Sequence, residues 1–154
     1  MTSQLAFPYK DSSLPVEQRV QDLLSRMTVE EKVAQLSAVW FTEVAEDEKL
    51  SEEKARARIG NGIGQITGLA SRSPHPPERV TQDINSIQKF LVEQTRLGIP
   101  AIAHDECCSG FMARSGTTFP QAIGMASTWD TELEEAMTKL IRAQLLQPPG
   151  CPFR

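Results

Sequence analysis

The sequence predicts an α/β fold with parallel strands, and three observations carry that prediction. Segments with apolar residues three and four apart alternate with short apolar runs, in the order helices, strand, helix, strand, helix. The second apolar run follows a helix and lacks the polar alternation of a half-solvated strand, the mark of a strand buried on both faces. The composition is that of one soluble domain: 154 residues, 40% hydrophobic, 23% charged and a net charge of -4. Parallel strands joined through helices imply right-handed crossovers, and no internal repeat interrupts the pattern.

Ser13, Leu14 and Pro15 open the first helix, in which Val16, Val20, Leu23, Leu24 and Met27 recur at helical spacing. Thr28 opens the second, with Glu31 placed to reach back in a Thr-x-x-Glu capping box. Val29, Val33, Leu36 and Trp40 form its apolar side, which is expected to pack. The acidic stretch from Glu43 to Lys54 reads as a solvated helical face rather than an acidic recognition patch, and Ser51 is placed to cap a short helix ending near Ile59.

Gly60, Gly62 and Gly64 then punctuate the chain before the strand-like run Gln65 to Leu69. A dinucleotide-binding glycine motif follows a strand and opens a helix; these glycines do the reverse, which argues against nucleotide binding. A loop from Ser71 to Pro77 holds His75 among three prolines. Val80, Ile84, Ile87, Leu91 and Val92 mark a helix that stops at Gly98, and Ile99 to Ala103 reads as a buried strand running into His104, Asp105 and Glu106. Asp130 or Thr131 caps a last helix through Leu133, Met137, Leu140 and Ile141, which Pro148, Pro149 and Gly150 prevent from continuing.

The mildly acidic balance excludes a broad basic surface, and with it nucleic acid or anionic membrane as a partner. No apolar run approaches the roughly 18 residues of a membrane span. Residues Met1 to Lys10 show no secretory signal, so a cytoplasmic location is expected. Three cysteines, Cys107, Cys108 and Cys151, do not make a disulfide framework. Cys107 and His104 invite a thiol-nucleophile or metal-site reading, but zinc wants four ligands, and buried inert thiols are the expectation. No metal and no cofactor are expected.

Functional groups in parallel α/β folds collect at the C-terminal ends of the strands, which makes His104, Asp105 and Glu106 the best site candidates. Successive side chains on a strand point to opposite faces, so one of the two carboxylates faces the site, and a catalytic partner must come from elsewhere.

These residues also carry a resemblance. The run Arg96 to Cys107, reading RLGIPAIAHDEC, then Phe111-Met112 and the run Phe119 to Asp130, reading FPQAIGMASTWD, are similar to the N-terminal part of family 3 glycoside hydrolases. The upstream run Arg26 to Leu36, reading RMTVEEKVAQL, resembles that family's opening helix. The resemblance implies a TIM-like (β/α)8 barrel and a retaining β-glycosidase acting on β-glucosides or β-xylosides through an Asp nucleophile and a Glu acid/base. The family's nucleophile lies on a later strand and its acid/base beyond the barrel. Neither segment has a counterpart here, so no catalytic residue is assigned. Asp130 matches the family's Ser-Thr-Trp-Asp segment and is read as a helix cap.

One position does carry over. The family places a carboxylate at the end of this early strand to accept hydrogen bonds from glycon hydroxyls, and Glu106 matches it, which makes Glu106 the substrate-binding candidate. Glu in place of Asp resembles the β-xylosidase-like and broad-specificity branches, because the longer side chain leaves less room for a hydroxymethyl group. The chain departs from the family where Cys108-Ser109-Gly110 stands in place of Leu-His-Gly.

A closed barrel takes about 250 residues, so the expectation is an N-terminal fragment of a barrel, too short to close and inactive alone. Residues 1–144 are assigned to that barrel portion. Residues 145–154 are read as a divergent tail left by truncation or a frameshift. The alternative is a non-catalytic module that binds sugar or completes another chain's barrel.

Overall fold

The computed structural model describes residues 7–69, 77–113 and 116–146. Most of the proline-rich loop, including His75, together with Cys151 and the tail from Gln147, lies outside the described residues.

A short 3-10 turn, Pro8–Lys10, leads into α1 (Val16–Arg26) and α2 (Val29–Gln35). Then come β1 (Ala38–Trp40), α3 (Phe41–Val44), a hairpin of β2 (Ala45–Glu46) and β3 (Lys49–Leu50), and α4 (Glu52–Ile59). β4 (Gln65–Thr67), α5 (Pro77–Gln94), β5 (Ile102–Ala103), α6 (Ala122–Ala126) and α7 (Thr131–Leu146) complete the order. β1, β4 and β5 form a parallel three-stranded sheet in that sequence order, with α4 and α5 in the connections. The predicted α/β class is therefore observed as an open sheet.

The capping box at α2 is complete: the Glu31 N–H donates to Thr28 Oγ1 at 3.2 Å, and the Thr28 N–H donates to Glu31 Oε2 at 2.9 Å. Asp130 caps α7 by accepting from the Leu133 N–H at 2.9 Å. Ser51 stands before α4 as expected, but its hydroxyl donates to Glu46 Oε2 and does not cap.

Several expectations are corrected. The run Ile99 to Ala103, read as a buried strand, is a strand only at Ile102 and Ala103, and both are exposed, because among the described residues β5 is the outer strand of the sheet. The helical spacing that ran on to Trp40 is overridden after Gln35: Ala38–Trp40 is an edge strand, held by the register Ala38 with Gln65, Val39 with Ile66 and Trp40 with Thr67. The acidic stretch is only partly helical, because Asp47 and Glu48 turn the hairpin with φ of 46° and 61°. Positive φ at both central residues is what a two-residue turn between twisted strands requires.

The core lies on one face of the sheet, where Val39 and Ile66 meet Val44, Ala55 and Ile59 from the α3–α4 region and Ile87, Phe90 and Leu91 from α5. Fully buried aliphatic side chains of this size stabilise a fold by about 1.5–3 kcal/mol each. The Gln88 side chain reaches from α5 to Ala101, donating to its carbonyl at 2.7 Å and accepting from its N–H at 3.0 Å, and so fixes the entry to β5. The apolar sides of α1 and α2 do not pack as expected. Val16, Val29 and Val33 are exposed, and Leu36 is 88% exposed, because the three-stranded sheet offers them no facing surface.

Candidate functional site at the C-terminal edge of the sheet

The three strands end side by side at Trp40, Thr67 and Ala103. The His104 N–H donates to the Ile66 carbonyl at 3.0 Å, continuing the β4–β5 ladder one residue further. Past this point the chain turns tightly. The Gly110 N–H donates to the Cys107 carbonyl at 3.1 Å, Gly110 takes φ of 92°, and the Phe119 N–H ties back to the Ser109 carbonyl at 2.8 Å. A Cβ on Gly110 would stand 2.4 Å from the Thr117 carbonyl oxygen, so this close approach needs glycine.

All three sequence-predicted candidates lie on this turn. His104 and Asp105 are half-buried and Glu106 is exposed. The Glu106 N–H donates to Asp105 Oδ1 at 3.0 Å, which separates the roles: Asp105 shapes the turn while the Glu106 carboxylate faces solvent. The Cys108 thiol donates to Glu106 Oε2 at 3.6 Å, a contact that sequence reasoning missed. Of the two described cysteines, Cys108 is exposed and Cys107 is partly buried, which corrects the expectation of buried thiols for this pair; Cys151 lies outside the described residues. Burial, and then the Asp105 and Glu106 carboxylates, push the Cys107 thiol above its ordinary range. A thiol held protonated is a poor nucleophile. The buried Nε2 of His104 has no hydrogen-bond partner, so it makes no thiol–imidazole pair. Among the described residues no group of three or more His, Cys, Asp or Glu converges as a metal site.

A second ionic cluster lies at the opposite end of the sheet. Arg96, just past α5, donates to both oxygens of Glu31, from Nε at 2.9 Å and from Nη2 at 2.5 Å, and its Nη2 also donates to the Arg26 carbonyl at 2.7 Å. Glu31 is 7% exposed, and its carboxyl is held below the usual range by Arg96. This cluster joins α1, α2 and the end of α5 before β5 begins, so it is structural. A cleft of about 240 Å³, lined in part by Glu30, Val33, Arg56 and Asn61, lies at this same N-terminal end.

Parallel strands wound through helices, with a solvent-facing carboxylate where a strand ends, are the arrangement of α/β enzymes that bind ligands at the C-terminal edge. Residues 28–148 match the N-terminal domain of glycosyl hydrolase family 3, and the chain belongs to that family. It is 34% identical over 146 residues to beta-glucosidase C of Emericella nidulans, covering 90% of this chain and 23% of the relative. It is 28% identical over 151 residues to the periplasmic beta-glucosidase/beta-xylosidase of Dickeya chrysanthemi, covering 89% of this chain and 22% of that protein. The chain thus spans about a quarter of the length of these relatives. Among the described residues no helix is long and apolar enough to cross a membrane.

Proposed function

We propose that this chain supplies part of the glycon-binding end of a β-glycosidase barrel, with the Glu106 carboxylate accepting hydrogen bonds from hydroxyls of a β-glucoside or β-xyloside. The observation that carries the reading is the place of Glu106: solvent-facing, one turn past β5, in a chain whose relatives are named for those two sugars. An ionised carboxylate pairs strongly with hydroxyl donors. The hydrolysis of the whole protein would follow a retaining mechanism, and this chain would bind without turnover, since the family's nucleophile and acid/base segments have no counterpart in these residues.

Titration calorimetry with methyl β-xyloside and methyl β-glucoside tests the reading. Glu106→Gln is expected to weaken binding about ten- to a hundredfold, the worth of one charged hydrogen bond, with an unchanged circular dichroism spectrum because the side chain is exposed. Equal heats from the two proteins would remove Glu106 from the reading.

A second reading, in which the chain completes a barrel with another polypeptide, is favoured by the open edge of the sheet. Among the described residues β5 is an edge strand, and its Ile102 is 68% exposed. Exposed edges recruit further strands.

A further inference from the structure

The sheet has a core face and an open face, and the register decides which residues stand on each. Paired residues in a parallel sheet point the same way, and the direction alternates along each strand. Val39 and Ile66 are buried on the core face, whereas Ala38, Gln65 and Ile102, paired across the three strands, are exposed on the other. Two residues on, Trp40, Thr67 and His104 form the last rung of that open face, at the C-terminal edge beside Glu106.

The rung has the chemistry of a sugar site. Trp40, at 37%, keeps over a third of its surface open. Its main chain is anchored: the backbone N–H of Trp40 donates to Glu43 Oε1 at 3.0 Å, and the Glu43 carboxylate pairs with Arg58 of α4. Thr67, in the middle, is small and buried. His104 presents the buried Nε2 that has no hydrogen-bond partner, and an orphaned buried polar atom calls for an occupant. Strands about 4.8 Å apart set Trp40 and His104 roughly 10 Å from each other, room for one ring between them. A β-linked glucoside or xyloside has equatorial hydroxyls and axial C–H groups, so its faces are apolar and its rim is polar. The negative face of an indole attracts such C–H groups.

We propose that Trp40 is the stacking platform, and His104 Nε2 a hydroxyl contact, for the pyranose ring whose rim Glu106 binds. The proposal rests on the reading of Glu106 given above and adds a specificity determinant to it. Sugars with an axial hydroxyl on the stacked face are disfavoured.

The chain has two tryptophans, Trp40 and Trp129, so Trp129→Phe makes emission report on Trp40 alone. Methyl β-xyloside is expected to change that emission saturably, at the concentrations where calorimetry shows binding. Trp40→Leu is expected to weaken binding at least tenfold, Trp40→Phe to stay within about threefold, and His104→Ala to lose about fivefold. Heats that vanish in Glu106→Gln, with Trp40 emission unmoved and Trp40→Leu binding normally, would overturn this proposal and leave Glu106 standing. No heat with the parent chain would overturn both. The emission titration retains Trp40, so it decides the matter even where a Trp40 variant fails to fold.

Discussion

Gly64→Ala is expected to cost the fold about 3 kcal/mol or more, which is a large share of the 5–15 kcal/mol that holds a domain together. The reason is contact with backbone rather than conformation. A Cβ at Gly64 would lie 2.0 Å from the carbonyl oxygen of Gln35 and 2.7 Å from its carbon. Neither partner can yield cheaply. The Gly64 N–H donates to the Ala34 carbonyl at 3.0 Å, its carbonyl accepts from the Ile102 N–H at 2.9 Å, and the Gln65 N–H donates to the Ser37 carbonyl at 3.2 Å. Moving Gly64 therefore breaks the joint between the end of α2 and all three strands. Gly124 is the control: a Cβ there meets nothing closer than Pro120 Cβ at 3.7 Å. Gly124→Ala in α6 is expected to be neutral or to stabilise by up to about 1 kcal/mol. Urea midpoints of the two variants separate these expectations. A Gly64→Ala protein as stable as its parent contradicts the packing described for this joint.

Glu31→Ala is the second large effect, with an expected loss of about 2–3 kcal/mol. The substitution removes the acceptor for the Thr28 N–H, half of a capping box, and leaves the Arg96 guanidinium without its buried partner. Arg96→Met leaves the converse problem, a nearly buried carboxylate with only the Thr28 N–H to satisfy it. The same pair makes stability depend on pH. The Glu31 carboxyl is depressed in the folded chain, first by its hydrogen bonds from Arg96 and then by the Thr28 N–H, while burial opposes both. A depressed carboxyl contributes stability that is fully present above its unfolded value, near 4.3, and that is lost as pH falls through the lower folded value. Thermal midpoints measured downward from pH 5 are thus expected to fall more steeply in the parent than in Arg96→Met. Parallel curves would show that the pair contributes nothing to acid sensitivity.

Much of this fold is legible in the sequence where local rules and tertiary demands agree. Thr28 and Glu31 signal a cap and form one, Asp130 does the same, and the run after Gly98 supplies the last described strand of the sheet, though as two exposed residues rather than a buried run. Trp40 shows the opposite case. Val29, Val33, Leu36 and Trp40 keep a helical spacing with no glycine or proline between Gln35 and Ala38 to stop it, so pattern alone extends the helix. Pairing with β4 at Ala38, Val39 and Trp40 cannot be seen in the segment itself, since its partner lies beyond α4; the hydrogen bonds from Gly64 to Ala34 and from Gln65 to Ser37 decide where the helix gives way. That misreading also hid Trp40 as a candidate, because a tryptophan on a helix face reads as packing, whereas one at a strand's C-terminal end is open to the recognition role proposed above. The position of Glu106, exposed just past β5, was legible from the strand that precedes it. The thiol contact from Cys108 and the orphaned His104 Nε2 were not, because both depend on how the turn from His104 to Gly110 closes.

The most direct test of the account is a map of amide chemical-shift changes in the 15N-labelled chain as methyl β-xyloside is added. The account predicts changes gathered at the C-terminal edge of the sheet, at Trp40, Thr67, Gly68 and His104 through Cys108. Changes gathered instead at the opposite end, around Val33, Arg56 and Asn61, would contradict it.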